Sequence, residues 1–204
     1  PDGRRVVSTV NERLYVRNFP DFKIIQVFYP TRGILAWYDI ASKVIRALPG
    51  GDDTRYVHCN AVWSPDGKDL VFMRAPATNP YDPARPVAMY PGDPNETQVR
   101  FDLYRIPFND GRGGVPEPIP GASGNGMSNS FPKVSPDGKW LVWTQARNGM
   151  LLRPDGRLWI MSLPRGTPRL MNCNTSLMNS WHSFSPNGRW LVFSSKVNTP
   201  YTQL

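Results

Sequence analysis

Few side chains in this chain of 204 residues are suited to chemistry. Its two histidines are His58 and His182, and its two cysteines are Cys59 and Cys173. By type these four could ligate zinc. By spacing they do not fit: neighbours on an extended strand, such as His58 and Cys59, point to opposite faces, and Cys173 to His182 is no compact ligand interval. No metal site is expected. There is no Cys-x-x-Cys-His, hence no covalent haem, and no cofactor is expected. Gly121-Ala122-Ser123-Gly124 approaches a Gly-x-Ser-x-Gly nucleophile elbow but lacks its last glycine. No catalytic residue is assigned, and a hydrolase would need its catalytic domain outside this chain.

A second set of polar and aromatic residues is marked by position. His58, Asn60, Asn129, Ser130, Trp181 and His182 precede a corner that recurs along the chain. Asn60-Ala61-Val62-Trp63-Ser64-Pro65-Asp66-Gly67-Lys68-Asp69-Leu70-Val71-Phe72 is one copy. Phe131 to Trp143, through Ser135-Pro136-Asp137-Gly138, is another, and Trp181 to Phe193, through Ser185-Pro186-Asn187-Gly188, a third. Pro1-Asp2-Gly3-Arg4-Arg5-Val6-Val7 reads as a fourth whose leading strand is missing.

Each corner residue has a mechanical job. Proline presets the first bend of a type I turn, Asp or Asn bonds the local backbone, and Gly takes the left-handed conformation that closes the hairpin. The run that follows, such as Trp140-Leu141-Val142-Trp143, is apolar on both faces and short, as in a strand covered on both sides. A second hairpin follows in the complete repeats, as from Leu158-Trp159-Ile160-Met161-Ser162-Leu163 through Pro164-Arg165-Gly166-Thr167 to Pro168-Arg169-Leu170-Met171. Four strands in meander order make a propeller blade. The expected fold is all-β: a β-propeller segment of four-stranded antiparallel blades, about two complete and two partial.

The expected units are residues 1–48 (partial), 49–120 (enlarged), 128–172 and 179–204 (partial). In the first, Arg5–Val10 and Leu14–Arg17 read as strands, and the apolar run from Phe19 to Tyr29 as an added strand or a loop packed on the ring. In the second, residues 75–98 form an insertion whose six prolines bar regular strand or helix. An ordered surface loop is the expectation and a mobile one the alternative, with Tyr81, Arg85, Met89 and Tyr90 as candidate partner-binding residues. The six residues before the corners fall on innermost strands, which line a propeller's channel. The favoured reading is a wet channel of hydrogen-bonded structural residues, with ligand or peptide contact as the other. Cys59 and Cys173 fall in different blades, so buried free thiols are expected rather than a disulfide.

Lys and Arg number 24 against 16 Asp and Glu, a net charge of +8. The charges are scattered singly, so a nucleic-acid partner is not expected. No membrane span and no signal peptide are read in this chain. An open arc leaves apolar blade faces bare, so the remaining blades are expected from further chain or another subunit.

The corner copies at Pro65-Asp66-Gly67, Pro136-Asp137-Gly138 and Pro186-Asn187-Gly188 resemble the repeat of the bacterial TolB propeller, a relative of the WD repeat. The same repeat occurs in propeller domains of prolyl-oligopeptidase-type hydrolases. Asp93-Pro94-Asn95-Glu96-Thr97 and the Asn179–Gly188 segment also resemble large TolB-like envelope proteins. The resemblance implies a non-enzymatic, protein-binding scaffold in the periplasm or cell envelope. It implies as alternative the substrate-gating propeller of a serine hydrolase.

Overall fold

The structure, a computed structural model, describes residues 2–21, 26–80, 84 and 86–204. Among them the regular structure is strand, apart from a 3-10 turn at Asn109–Gly111. The first unit holds β1 (Arg5–Asn18), β2 (Gln26–Asp39) and β3 (Val44–Ala47). The second is a meander of β4 (Tyr56–Trp63), β5 (Asp69–Pro76), β6 (Asp102–Pro107) and β7 (Glu117–Pro118). The third repeats it as β8 (Ser128–Val134), β9 (Trp140–Ala146), β10 (Arg157–Ser162) and β11 (Arg169–Leu170). The last contains β12 (Asn179–Phe184) and β13 (Leu191–Ser195). Within each unit the pairing is antiparallel. This is a β-propeller segment with two complete blades and two partial ones.

The corners repeat atom for atom. Ser64, Ser135 and Ser185 donate Oγ to Asp66 Oδ1 (2.6 Å), Asp137 Oδ1 (2.6 Å) and Asn187 Oδ1 (2.7 Å). The same hydroxyls accept from the amides of Asp69, Trp140 and Trp190 at 2.9–3.0 Å. Gly67, Gly138 and Gly188 sit at φ +72°, +73° and +68°. At the first unit Gly3 has φ +70°, and Asp2 Oδ1 accepts from the Arg4 amide at 3.0 Å.

In the two complete blades the run after the corner is buried on both faces. Leu70 and Phe72 pack with Leu35, Trp37 and Leu48 of the first unit, and Phe108 closes that layer against Trp63 at 4.7 Å. Val71 and Met73 turn the other way, onto Leu141, Trp143 and Met161 of the next blade. Each such side chain stabilises the stack by about 1.5–3 kcal/mol. The strands of the first unit and the second blade pair through a single parallel bridge, Gly33↔Val57. Side-chain packing and a few loop hydrogen bonds, such as Leu35 N to Gly51 O at 2.8 Å, join the rest.

The repeat exposes what the two ends leave bare. Leu70 and Leu141, the second residues after their corners' cations, are fully buried against the preceding unit; their equivalent Val6 is 49% exposed. Val71 and Val142 are buried towards the following unit; their equivalent Val192 is 48% exposed.

Two readings of the first unit need correction. Arg5–Val10 and Leu14–Arg17 are not separate strands: β1 runs through both, bulged on either side of Arg13. The run from Phe19 to Tyr29 is not an added strand, because Gln26–Pro30 continues β2 and pairs with Leu14–Asn18. Phe22, Lys23, Ile24 and Ile25 lie outside the described residues. The outcome is a long hairpin arm, whose Tyr15 and Phe28 pack on the core between the complete blades.

Replacing Gly138 with Ala tests the corner. A Cβ there meets nothing nearer than Pro65 Cγ at 4.0 Å, so the cost is backbone strain alone. Gly138→Ala is expected to lower stability by about 1 kcal/mol. It should shift the urea midpoint without changing the slope of the transition.

Candidate functional site

The corners occupy one end of the strands, and the longest connections leave from the other. That second end gathers the β1–β2 arm, the insertion after β5, the 147–156 loop after β9 and the segment after β13. The arm touches the insertion: Arg17 Nε donates to the Ala88 carbonyl at 3.3 Å, and Phe19 is buried against Ala88.

The insertion is held by its own carboxylates. Asp93 accepts from the amides of Met89 (2.9 Å) and Asn95 (2.8 Å), and these bonds hold its carboxyl below the usual range. Glu96 accepts from the Gly92 amide at 2.6 Å and pairs with Arg153 of the next blade, both carboxylate oxygens meeting the guanidinium. Both members of that pair are buried. Asn148 completes the clamp, donating to Thr97 O at 3.0 Å and accepting from Val99 N at 2.8 Å. The result is a fixed turn that leaves Val87 (52%), Met89 (54%) and Tyr90 (55%) in solvent. Tyr81 and Arg85, the other candidate residues of this loop, lie outside the described residues. The anchors Asp93, Glu96 and Arg153 went unassigned in the sequence, although Asp93 and Glu96 belong to a segment already singled out there.

The innermost strands carry hydrogen-bonded polar residues. His58, Asn129, Ser130 and His182 are buried. Asn129 Oδ1 accepts from Trp143 Nε1 and Gln145 Nε2, each at 3.0 Å, and its Nδ2 donates to Asn125 Oδ1 at 3.1 Å. Ser130 Oγ donates to Thr144 O at 3.3 Å. His58 Nε2 lies 3.1 Å from Asp53 O, and His182 Nε2 lies 3.2 Å from Val142 O. Burial lowers the pKa of His58, and takes that of His182 down to about 4. Neither ring is placed as a general base.

Asn60 and Trp181 retain exposure, Trp181 at 52%. They share a feature that sequence reasoning missed. Asn60, Phe131 and Trp181 occupy the same repeat position and adopt φ +51°, +54° and +46°, each at a register shift of its inner strand. Such bulges re-aim a strand, and no propensity marks Phe or Trp for the left-handed region.

The remaining reactive groups have structural surroundings. Ser123 Oγ donates to Leu103 O at 2.5 Å, while Asp102 takes the Gly124 amide at 2.9 Å. Both cysteines are free; burial pushes the Cys59 thiol well up. Cys173 is exposed rather than buried, because the chain around it is a turn outside the blade core. Among the described residues no three His, Cys, Asp or Glu side chains gather as metal ligands. No described helix is long and apolar enough to cross a membrane.

No family model and no curated protein matches this chain. Solved structures do. A puromycin hydrolase shares 14% identity over 96% of this chain and 30% of its own, with a TM-score of 0.54. A second structure of puromycin hydrolase, also 14% identical, aligns over 96% of this chain and 29% of its own with a TM-score of 0.50. TolB from Agrobacterium tumefaciens is 20% identical over 79% of this chain and 50% of its own, with a TM-score of 0.47. The chain thus spans half or less of the length of these structures. At these identities the likeness is one of fold.

Two measurements test the site. Glu96→Ala leaves the buried Arg153 guanidinium with Asp155 Oδ1, at 4.0 Å, as its remaining carboxylate among the described residues, so a loss of about 3 kcal/mol is expected, with early proteolysis within 77–98. In the second, His182 binds its proton less readily when folded than when unfolded, where its pKa is near 6.5. The unfolded chain therefore gains protons first, and stability falls as pH drops from about 6.5 towards 4. Denaturant titrations at stepped pH should show this slope. His182→Gln should flatten it in part, with His58 and, near pH 4, carboxylates such as Asp93 and Asp155 contributing to what is left.

Proposed function

We propose that this chain is a TolB-like propeller segment that serves as a non-enzymatic protein-binding scaffold in the bacterial cell envelope. The observation that carries the reading is the clamped insertion. A buried ion pair and carboxylate bonds fix the turn at 89–96, and Met89 and Tyr90 on it, with Val87 beside it, face outward. Large apolar side chains held rigid in solvent are the usual makings of a protein contact. The envelope location rests on the likeness of the repeats to TolB, as does the non-enzymatic role.

The bare faces at Val6 and Val192 are read as seats for further blades of the same repeat, from additional chain or another subunit. The second reading, a gating propeller of a serine hydrolase, draws support from the fold shared with puromycin hydrolase. Both readings keep catalysis off this chain.

A photo-crosslinking residue placed at Tyr90 in the intact protein should capture a protein partner that the same probe at Lys139, on the corner end, does not. Met89→Asp should abolish that capture while leaving thermal unfolding unchanged. Equal capture from both positions, or a serine nucleophile elbow in the full reading frame, would overturn the scaffold reading.

A further inference from the structure

We propose that the cavity between the 147–156 loop and the segment after β13 is a binding site for an apolar molecule that carries a carboxylate, received by Lys196. The cavity holds about 360 Å³, within the range of small-molecule sites. Leu152, Leu177, Met178 and Pro200 supply an apolar wall, with Met178 at its buried base. Two charged residues reach it: Lys196, half-buried, and Asp21 from the arm, exposed.

The two charges are not equivalent to a ligand. Asp21 is exposed, so water screens what it can offer a cation. Burial disfavours the charge of Lys196 and lowers its pKa, against the pull of Asp21. An incoming carboxylate offsets that desolvation, whereas an ammonium group adds to it. An ammonium has three N–H donors, so engaging a neighbour leaves capacity for a ligand.

The wall is also held in an unfavourable shape. Leu151 and Leu152 have φ of +38° and +58°, in the left-handed region that L-residues with large side chains avoid. Leu151 is locked in the core between blades, and Arg153 beside them is fixed by Glu96. Leu152 is thereby turned into the cavity wall. Strain maintained by its surroundings is characteristic of ligand sites.

Calorimetric titration of the whole chain with 4-phenylbutanoate, 4-phenylbutanamide and 4-phenylbutylammonium tests the assignment. The acid should bind about tenfold more tightly than the amide, and the ammonium compound no better than the amide. Lys196→Gln, a partly exposed change that spares the core, should erase the difference between acid and amide. Leu152→Asp, checked for an unchanged unfolding transition, should weaken both. A tripeptide with an apolar, free C-terminal residue distinguishes the source of the carboxylate. Tighter binding than 4-phenylbutanoate, lost on C-terminal amidation, identifies a chain terminus; weaker binding identifies a free acid. Equal binding of acid and amide, no binding by either, or full binding of the acid to Lys196→Gln would overturn the proposal.

Discussion

A narrow sheet with two apolar faces must have both covered at once, and this requirement organises the whole molecule. Leu70-Val71-Phe72-Met73 sends alternate side chains to opposite neighbours, and all four are buried. No blade here has a core of its own; each core is shared between two. Stability is therefore a property of the stack, close to the nearest-neighbour sum that describes repeat proteins. The corners set the strand direction that makes sharing possible. Their side chains do this locally, with the Ser hydroxyl and the Asp or Asn oxygen satisfying amides that no strand partner reaches.

Because corners are local, they were legible in the sequence. Ser-Pro-Asp-Gly identifies its own turn, and the apolar run after it identifies a doubly covered strand. From these two signals came the meander order of the complete blades. What the sequence concealed depends on distant partners. The bulges at Asn60, Phe131 and Trp181 arise where inner strands bend, and nothing in a Phe or Trp announces a positive φ. The polar character of His58, Asn129, Ser130 and His182 suggested hydrogen-bonded structural residues along a channel, but not their partners: atoms such as Trp143 Nε1 and Val142 O belong to other strands. Glu96 and Arg153 stand far apart in sequence, so their pairing had no local signature.

The far end of the strands is built differently. Its loops owe their shape to carboxylates and amides, not to turn residues alone. A buried ion pair contributes little net stability compared with apolar packing, yet it fixes one arrangement because either charge alone is costly. Glu96 links the insertion to a loop whose leucines are strained, so the apolar surface of the insertion and the cavity beside Leu152 share one anchor.

The bare surfaces at Val6 and Val192 have a geometric relation of their own. One is the leucine-position face and the other the valine-position face of the same repeat, so each has the chemistry that its counterpart buries elsewhere in the stack. Two such surfaces are mutually complementary, in the head-to-tail sense rather than the twofold one. Contacts of that kind close into a ring when the rotation per unit divides a full circle, and otherwise wind on into a fibre. The angle between neighbouring units, set largely by the side chains packed between them, is what such a closure would turn on.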